Sequence, residues 1–510
     1  MKKKKRVLII GTAPQYLISE FISQVDRSKT YIHLLVPERD INVYPQEDVS
    51  YFSGNFHPFF RPLLKSMITF RPDEVVVVCG MTYDHDNVVN AVLYYTNFKK
   101  MNIKIAVRNQ LEDLKGSTRP ALLKEFLKWA GLAALALLIK VLSPVITIRA
   151  GEIFSSRLGH LAMESEIYLC EAELGRHSKC LDLFYFKDNE ISNATLARMI
   201  SQKMHINRKF KYVLDAVRRF NMAGRHEVLL NTRKMAFVRD SECIIQQTDN
   251  HFKISQEQEQ KGLNGLKELG LSPQHPRVCI FGRDSVYLRG AVPTYNDEDM
   301  QKVRNMDIET FTPAVKYLLD KEYNVLRMGS IVKKPLLIDH PNYIDYACSG
   351  KRSDFMDIYL GATCRFFVGI QSGLIHIPMI FRIPCLSLNV VRPEIIHFCS
   401  PEDLAIFKLM RSKSENRILK ISEIIETGIS RWRVEEFADS DIELIDNTED
   451  EILEAVKEMQ SRVQGTWSST KEDRELLHKF HSCFNVSKYN SKYVTPISSY
   501  FLKKHAHEIL

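Results

Sequence analysis

An α/β fold built on parallel sheets is what this sequence predicts, and three observations predict it. Short apolar runs of strand length recur along most of the chain, helix-period stretches separate them, and small-residue turns follow several of the runs. Residues 353–389, SDFMDIYLGATCRFFVGIQSGLIHIPMIFRIPCLSLN, show all three. Residues 354–360 read as a helix that Ser353 or Asp354 caps, and 365–370 as a buried parallel strand. Gln371, Ser372 and Gly373 break the pattern, 374–381 resume as helix, and 385–390 form the next strand. A strand that feeds a helix through such a turn leaves backbone N–H groups facing outward, an arrangement suited to phosphate. Ser372 adds a hydroxyl donor, and Gly373 lets a ligand approach the backbone.

Taken in order, residues 6–116 form a first α/β unit with strands at 7–10, 31–36, 75–79 and 103–107 and a helix at 87–98. The turn after the first strand is Gly11-Thr12-Ala13-Pro14, so no GxGxxG dinucleotide fingerprint is present. His85 and Asp86 lie just past a strand end, where solvated loop residues are the simpler explanation. Residues 119–144 are a second unusual stretch, uncharged and apolar over 129–139 but interrupted by Lys124, Lys128 and Lys140. A spanning helix wants about 20 clean apolar residues. The stretch fits a helix on the membrane surface, with a core helix joining two domains as the alternative.

A second α/β pattern opens at Val145: strand VITIRA, the loop GEIFSSRLGH carrying Arg157, Gly159 and His160, a helix, and a strand at 181–186. Residues 246–260 are polar and glutamine-rich and read as a hinge. A third unit, 273–430, opens with a strand at 277–282, a helix at 307–320 and a strand at 324–328. A polar C-terminal region, 431–510, would pack back as helix.

The 510 residues suffice for several domains, and the composition is that of a globular protein. A net charge of +8 suits an anionic ligand or membrane surface and is too mild for a dedicated nucleic-acid binder. Ten cysteines without a CxxC pair, several inside apolar runs, indicate a reducing compartment.

The strand ends of the third unit present Arg283-Asp284-Ser285, Arg327-Met328-Gly329-Ser330, Lys351-Arg352-Ser353-Asp354 and Gln371-Ser372-Gly373. In a parallel sheet these loops share the carboxyl edge, where ligands bind. Arginine forks, hydroxyls and glycines together are what a diphosphate needs, and salt bridges among the same charges are the rival explanation. Asp297-Glu298-Asp299 has the spacing of a metal-binding DxD but no preceding strand, and no histidine pair has zinc spacing, so no metal is assigned.

RDSVYL, VRNMDIETFTPAVKYLLDKEYNVLRMGS, IDYACSGKRSDFMDIYLGATCRFFVGIQSGL and the earlier SSRLGHLAMESEIYL resemble the motifs of a family of bacterial glycosyltransferases found with surface-polysaccharide genes. The resemblance covers residues 145–401. It implies a GT-B-like pair of Rossmann-type domains, an acceptor-side N-domain at 145–272 and a donor-side C-domain at 273–430. An additional N-terminal Rossmann-like domain, 1–118, lies outside it. SGLIHIP is similar to the donor-phosphate turn of heptosyltransferases, with Gln371 where an acidic residue is usual. The Arg283 loop is similar to the arginine motif of GT-B fucosyltransferases.

The resemblance implies a nucleotide-sugar donor, a surface-glycan or lipid-linked acceptor, no separate cofactor, no nucleic acid, and work in the cytoplasm or peripherally on the inner face of the membrane. Arg283 and Arg327 would neutralise the departing diphosphate without a metal, assisted by Asp284, Ser285, Gly329, Ser330, Ser353, Asp354, Ser372 and Gly373. His160, beside Arg157 and Gly159, would take the proton of the acceptor hydroxyl. A nucleotide-sugar epimerase and a non-catalytic glycan-binding protein are the alternatives.

Overall fold

The structure is a computed structural model and describes residues 4–11, 18–19, 22–37, 48–52, 69, 71–79, 102–107, 110–113, 119–177, 180–188, 190–230, 240, 242–283, 286, 303, 305–393, 400–429, 436–437, 440–484 and 494–510. The chain divides into two compact units, Met1–Ala150 with Lys211–Glu227, and Gly151–Phe210 with Val228–Leu510. Both are mixed α/β with parallel sheets. The second contains the segment expected at 273–430 and that expected at 145–272 apart from residues 145–150 and 211–227, and it also takes in the C-terminal region.

In the first unit, β1 (Lys5–Gly11), β2 (Thr30–Pro37), β3 (Asp48–Phe52), β4 (Glu74–Cys79), β5 (Asn102–Val107) and β6 (Gln110–Asp113) form one sheet in the order β3-β2-β1-β4-β5-β6. All pairs are parallel except β5–β6. Val7, Leu8, Ile9 and Ile10 of β1 are all buried, as a central strand covered on both faces requires. The helix expected at 87–98, together with His85 and Asp86, lies outside the described residues.

Helix α1 (Arg119–Leu142) follows. Its Leu132 and Ala136 pack against Ala216 of the Lys211–Arg219 helix, and Trp129 meets Phe220 at 6.1 Å between ring centres. One face of the segment is thus core, as one of the two sequence readings had it. No helix among the described residues is long and apolar enough to cross a membrane.

The second unit opens with β7 (Thr147–Ile153), α2 (Leu158–Glu173), β8 (Cys180–Phe186) and α3 (Ala194–Ser201). The short β9 (Glu227–Val228) completes a three-stranded sheet in the order β8-β7-β9. Helix α4 (Gln256–Glu268) comes next, and it takes up the last five residues of the polar segment 246–260. Ser255 and Gln258 make a reciprocal capping box that turns polar, glutamine-rich sequence into a well-started helix. Two glycines then allow it to lie very close to α6 (Asp354–Thr363). A Cβ at Gly262 would come within 2.2 Å of the Tyr359 ring, and one at Gly265 within 2.5 Å of Met356 Sδ.

The second sheet is all parallel and contains β10 (Arg277–Phe281), β11 (Asn324–Arg327), β12 (Tyr343–Ile344), β13 (Phe366–Ile370), β14 (Cys385–Val390) and β15 (Leu404–Phe407). Its order is β12-β11-β10-β13-β14-β15. This is the doubly wound pattern, in which the sequence steps outward from β10 in one direction and then from β13 in the other. Helix α5 (Thr312–Asp320) precedes β11, and α7 (His376–Ile380) follows β13. Every residue of β13 and β14 is buried; β13 is apolar throughout, and β14 carries Ser387 and Asn389 among its apolar residues.

An antiparallel trio of β16 (Leu409–Ser412), β17 (Arg417–Ile418) and β18 (Ile442–Ile445) follows. Helices α8 (Glu449–Val463), α9 (Lys471–Ser482) and α10 (Ser499–Ile509) end the chain. The expected helical return is found in α10, whose Phe501, Leu502 and Ile509 are buried. Lys504 and His505 of α10 both reach Glu451 of α8 at 2.7 Å.

Asp403, just before β15, is buried and accepts a hydrogen bond from the Cys385 backbone N–H at 2.8 Å. Burial pushes its carboxyl up to about 8. Between the ordinary aspartate value of about 4 and pH 8, the folded chain therefore keeps a proton the unfolded chain has lost, so this group subtracts stability as pH rises through that window. Asp403→Asn keeps the acceptor and removes the charge. Chemical denaturation should find the variant's stability, relative to wild type, rising by roughly 2 to 4 kcal/mol between pH 5 and pH 8; an unchanged difference would contradict the assignment.

Candidate active site

The strand order defines a switch point between β10 and β13, where the two halves of a doubly wound sheet diverge and leave a crevice at the carboxyl edge. Arg283 follows β10, and Gln371-Ser372-Gly373 follows β13, so these two sequence candidates flank the crevice. β10 and β13 approach tightly beneath it: a Cβ on Gly369 would lie 2.9 Å from the Phe281 carbonyl oxygen. The backbone of Arg283 is held in place by its carbonyl, which accepts from the Met306 N–H at 3.1 Å.

The turn after β13 has a feature that points to a ligand. The Ser372 Oγ is buried and has no hydrogen-bond partner among the described residues, a costly state for a hydroxyl. An oxygen of a bound group would satisfy it. The helix that follows, α7, has only five residues. It is shorter than the 374–381 helix expected from sequence and contributes little dipole at the turn.

A longer helix faces the turn from the other side. α2 begins at Leu158, and Arg157 at its N-cap is exposed and supplies no side-chain cap. Its second residue, Gly159, touches the turn: a Cβ there would lie 2.6 Å from His376 Nδ1 and 2.8 Å from Gly373 Cα. Conversely, a Cβ on Gly373 would lie 3.0 Å from the Gly159 backbone nitrogen. The positive end of a sixteen-residue helix is therefore presented to the same turn.

His160 is the next residue along α2, half-buried, with its ring 5.5 Å from that of Phe154. Its Nδ1 is hydrogen-bonded to Glu164 one helical turn on, and Glu164 is buried with its second oxygen unpartnered. Sequence reading missed Glu164. The signal was available in LGHLAMES, where the two residues stand four apart on a helix and so share a face. The pairing fixes the imidazole tautomer, leaving Nε2 as the basic nitrogen. Asp188 holds the loop before α2, accepting from the backbone N–H groups of Ser155 at 3.1 Å and Ser156 at 3.0 Å. Lys187 lies 4.3 Å over the Phe154 ring.

Other expected donor residues are placed elsewhere. Arg327 is 1% exposed, and its guanidinium binds Asp345 at 2.9 Å and the Lys334 carbonyl at 3.1 Å. It is a core ion pair, and its burial removes it from the set that meets a diphosphate. Gly329, at φ +149°, and Ser330 close the same loop; a Cβ on Gly329 would lie 3.0 Å from Val332. Ser353 caps α6 by accepting from the Met356 N–H at 3.2 Å. The Asp354 carboxylate accepts from the Ala194 N–H at 2.8 Å, and its carbonyl from Asn193 Nδ2 at 2.8 Å. Both are structural: they start one helix and tie it to the start of another. Arg352 pairs with Asp357 at 2.6 Å, a carboxylate outside the set of charges the rival reading had paired. Asp284, Ser285 and the Asp297–Asp299 acidic triplet lie outside the described residues.

Below the contact, a second polar cluster joins α2 to the loop after α7. Arg382 reaches Glu166 at 2.7 Å, and His251 sits between Glu166 and Glu173 at 3.1 Å from each. Glu166, Cys170 and His251 are close enough to share a metal ion, but the Arg382 guanidinium already supplies the cation on Glu166. Burial, with the Glu166 charge nearby, pushes the Cys170 thiol up to about 12, so it is a poor metal ligand as it stands.

No protein-family profile and no curated protein matches this chain. Among solved structures it is similar to ADP-heptose LPS heptosyltransferase II of E. coli, at 12% identity over 75% of this chain and 84% of that one, with a TM-score of 0.22. It is also similar to a glycosyl transferase family 9 structure from Veillonella parvula, at 9% identity over 78% and 84% with a TM-score of 0.22. A third likeness is to the UDP-GlcNAc 2-epimerase of Methanocaldococcus jannaschii, at 10% identity over 76% and 84% with a TM-score of 0.16. Superpositions this loose carry no conclusion about activity.

Two substitutions test the geometry itself. Gly159→Ala forces a methyl into the Gly373 turn and should cost about 1–3 kcal/mol of stability in denaturant melts, the usual range for overpacking. Arg327→Ala leaves Asp345 uncompensated and should cost about 3–5 kcal/mol. A neutral result for either would contradict the corresponding contact.

Proposed function

We propose that this chain is a glycosyltransferase that moves a sugar from a nucleotide-sugar donor to a hydroxyl of a surface-glycan or lipid-linked acceptor, working on the cytoplasmic side. The observation that carries the reading is the meeting of Gly159 with Gly373, which sets the His160–Glu164 pair of α2 against the Ser372 turn at the sheet's switch point. The motif resemblance over residues 145–401 supports the same reading. In it, residues 145–272 serve the acceptor and 273–430 the donor.

The chemistry follows from the placement. The acceptor oxygen attacks the anomeric carbon while His160 Nε2 takes its proton, and Glu164 stabilises the resulting imidazolium. The bond from the anomeric carbon to the diphosphate breaks, and its electron pair leaves with the diphosphate. Arg283, the Ser372 hydroxyl and the positive end of α2 are the groups that meet that charge. With a guanidinium in this role, the reaction is proposed to be metal-independent.

His160→Ala should leave donor affinity within a factor of two and slow transfer by roughly 100-fold or more. Glu164→Gln should slow it less, with donor affinity again unchanged. Arg283→Ala should weaken nucleotide binding by at least about 1.5 kcal/mol in calorimetry. EDTA should leave turnover unchanged. Normal turnover in His160→Ala, or wild-type nucleotide affinity in Arg283→Ala, would overturn the corresponding role. A product that keeps its nucleotide would identify an epimerase instead.

A further inference from the structure

Helix α1 has two faces of opposite fate. Leu132, Ala136 and Ile139 are buried on the side that packs toward the Lys211–Arg219 helix. At about 100° per residue, Leu127, Gly131, Ala134, Leu137, Leu138 and Val141 fall on the opposite side, and all six are exposed. Leu137 and Val141 are 64% and 65% exposed, and the apolar surface runs past the helix end to Val145 at 89%. A contiguous stripe of this kind on a folded unit marks an interaction surface.

Charge identifies the occupant. Residues 126–147 contain no aspartate or glutamate. Lys128 and Lys140 are exposed and stand on either flank of the apolar stripe, each about 120° from its centre by helical geometry. Lysines so placed can extend to headgroups while the stripe between them enters the acyl boundary. Lys211, Arg219 and Arg225 add further positive charge around the helix, against Asp215 and Glu227. A second copy of the chain suits the surface poorly, because a two-fold pairing of these helices would bring lysine flanks together with no acidic residue on the stripe to meet them. A span is not an option for this helix.

We infer that the Leu127–Leu137–Leu138–Val141 face of α1, extended by Val145, docks this protein on an anionic lipid bilayer, lying in the interface. The inference rests on α1 alone and stands whether or not the chain transfers sugar.

Vesicle flotation of the full chain tests it. With phosphatidylcholine vesicles containing phosphatidylglycerol, the wild type should float, and more so as the anionic fraction rises. Leu137→Glu/Val141→Glu should weaken partitioning by at least about 10-fold. Its thermal melt should stay unchanged, because both side chains already face water. Lys140→Ala should reduce the gain from anionic lipid and leave the apolar contribution. Wild type that stays in solution with every vesicle mixture would overturn the inference, as would flotation unaffected by the two glutamates. A dimer in sedimentation velocity that the same glutamates dissolve, without any vesicle binding, would assign the stripe to a second copy instead. Sugar transfer to a water-soluble acceptor should be the same in all three proteins, which separates failure here from failure of the proposed activity.

Discussion

Two glycines facing each other set the terms for the candidate site. Gly159 and Gly373 lie backbone to backbone, with room for a Cβ on neither side. Everything proposed for the chemistry follows from that proximity. It brings the start of α2 to the turn after β13, it positions His160 one residue further along, and it leaves Ser372 with a hydroxyl that no described residue uses. Backbone contact of this kind tolerates little drift, since a shift of either element opens a gap or forces a clash. Positioning within a fraction of an ångström is what a proton transfer to an attacking hydroxyl requires.

Other contacts hold the two elements in register. Arg382 and Glu166 form a buried pair between α2 and the loop after α7, with Cys170 and Thr248 of the same cluster also hydrogen-bonded. Asp354 joins the starts of α3 and α6. Gly262 and Gly265 let α4 settle against Tyr359 and Met356, and the Tyr359 hydroxyl donates to Glu259 at 3.0 Å. Removing Arg382 alone would strand the Glu166 charge in the interior, where an uncompensated carboxylate is expensive. Asp354 is the one residue in these contacts that the sequence offered as a donor contact, because a carboxylate at a helix start reads the same whether it meets a ligand or the Ala194 N–H.

The fold was readable from sequence wherever the elements are buried on both faces. The strand expected at 385–390 is β14, and that at 365–370 is β13 less one residue, because both are short buried runs bounded by the Gln371–Gly373 turn and by Pro384. The helix start inside 246–260 was not seen because composition says nothing about capping; Ser255 and Gln258 form their box through backbone groups that polarity alone does not reveal. Arg283, Ser372, Gly373, Gly159 and His160 could be singled out because strand ends and turn residues have positional meaning in a parallel sheet. Arg327 was misplaced because an arginine after a strand looks the same whether it meets a phosphate or Asp345. The identity of its partner is a tertiary fact.

The chain's route through its two units has a consequence for how it is made. The first unit is completed by Lys211–Glu227, a segment synthesised after β7, α2, β8 and α3 of the second. The packed face of α1, Leu132 and Ala136, therefore waits for Ala216, which emerges roughly 80 residues later, or about 4 to 16 s at typical translation speeds. Throughout that interval the nascent helix carries apolar residues on both of its broad faces, separated only by the lysine flanks. On the ribosome it is a hydrophobic segment with no intramolecular cover, the condition in which chaperones or a lipid surface compete for a growing polypeptide.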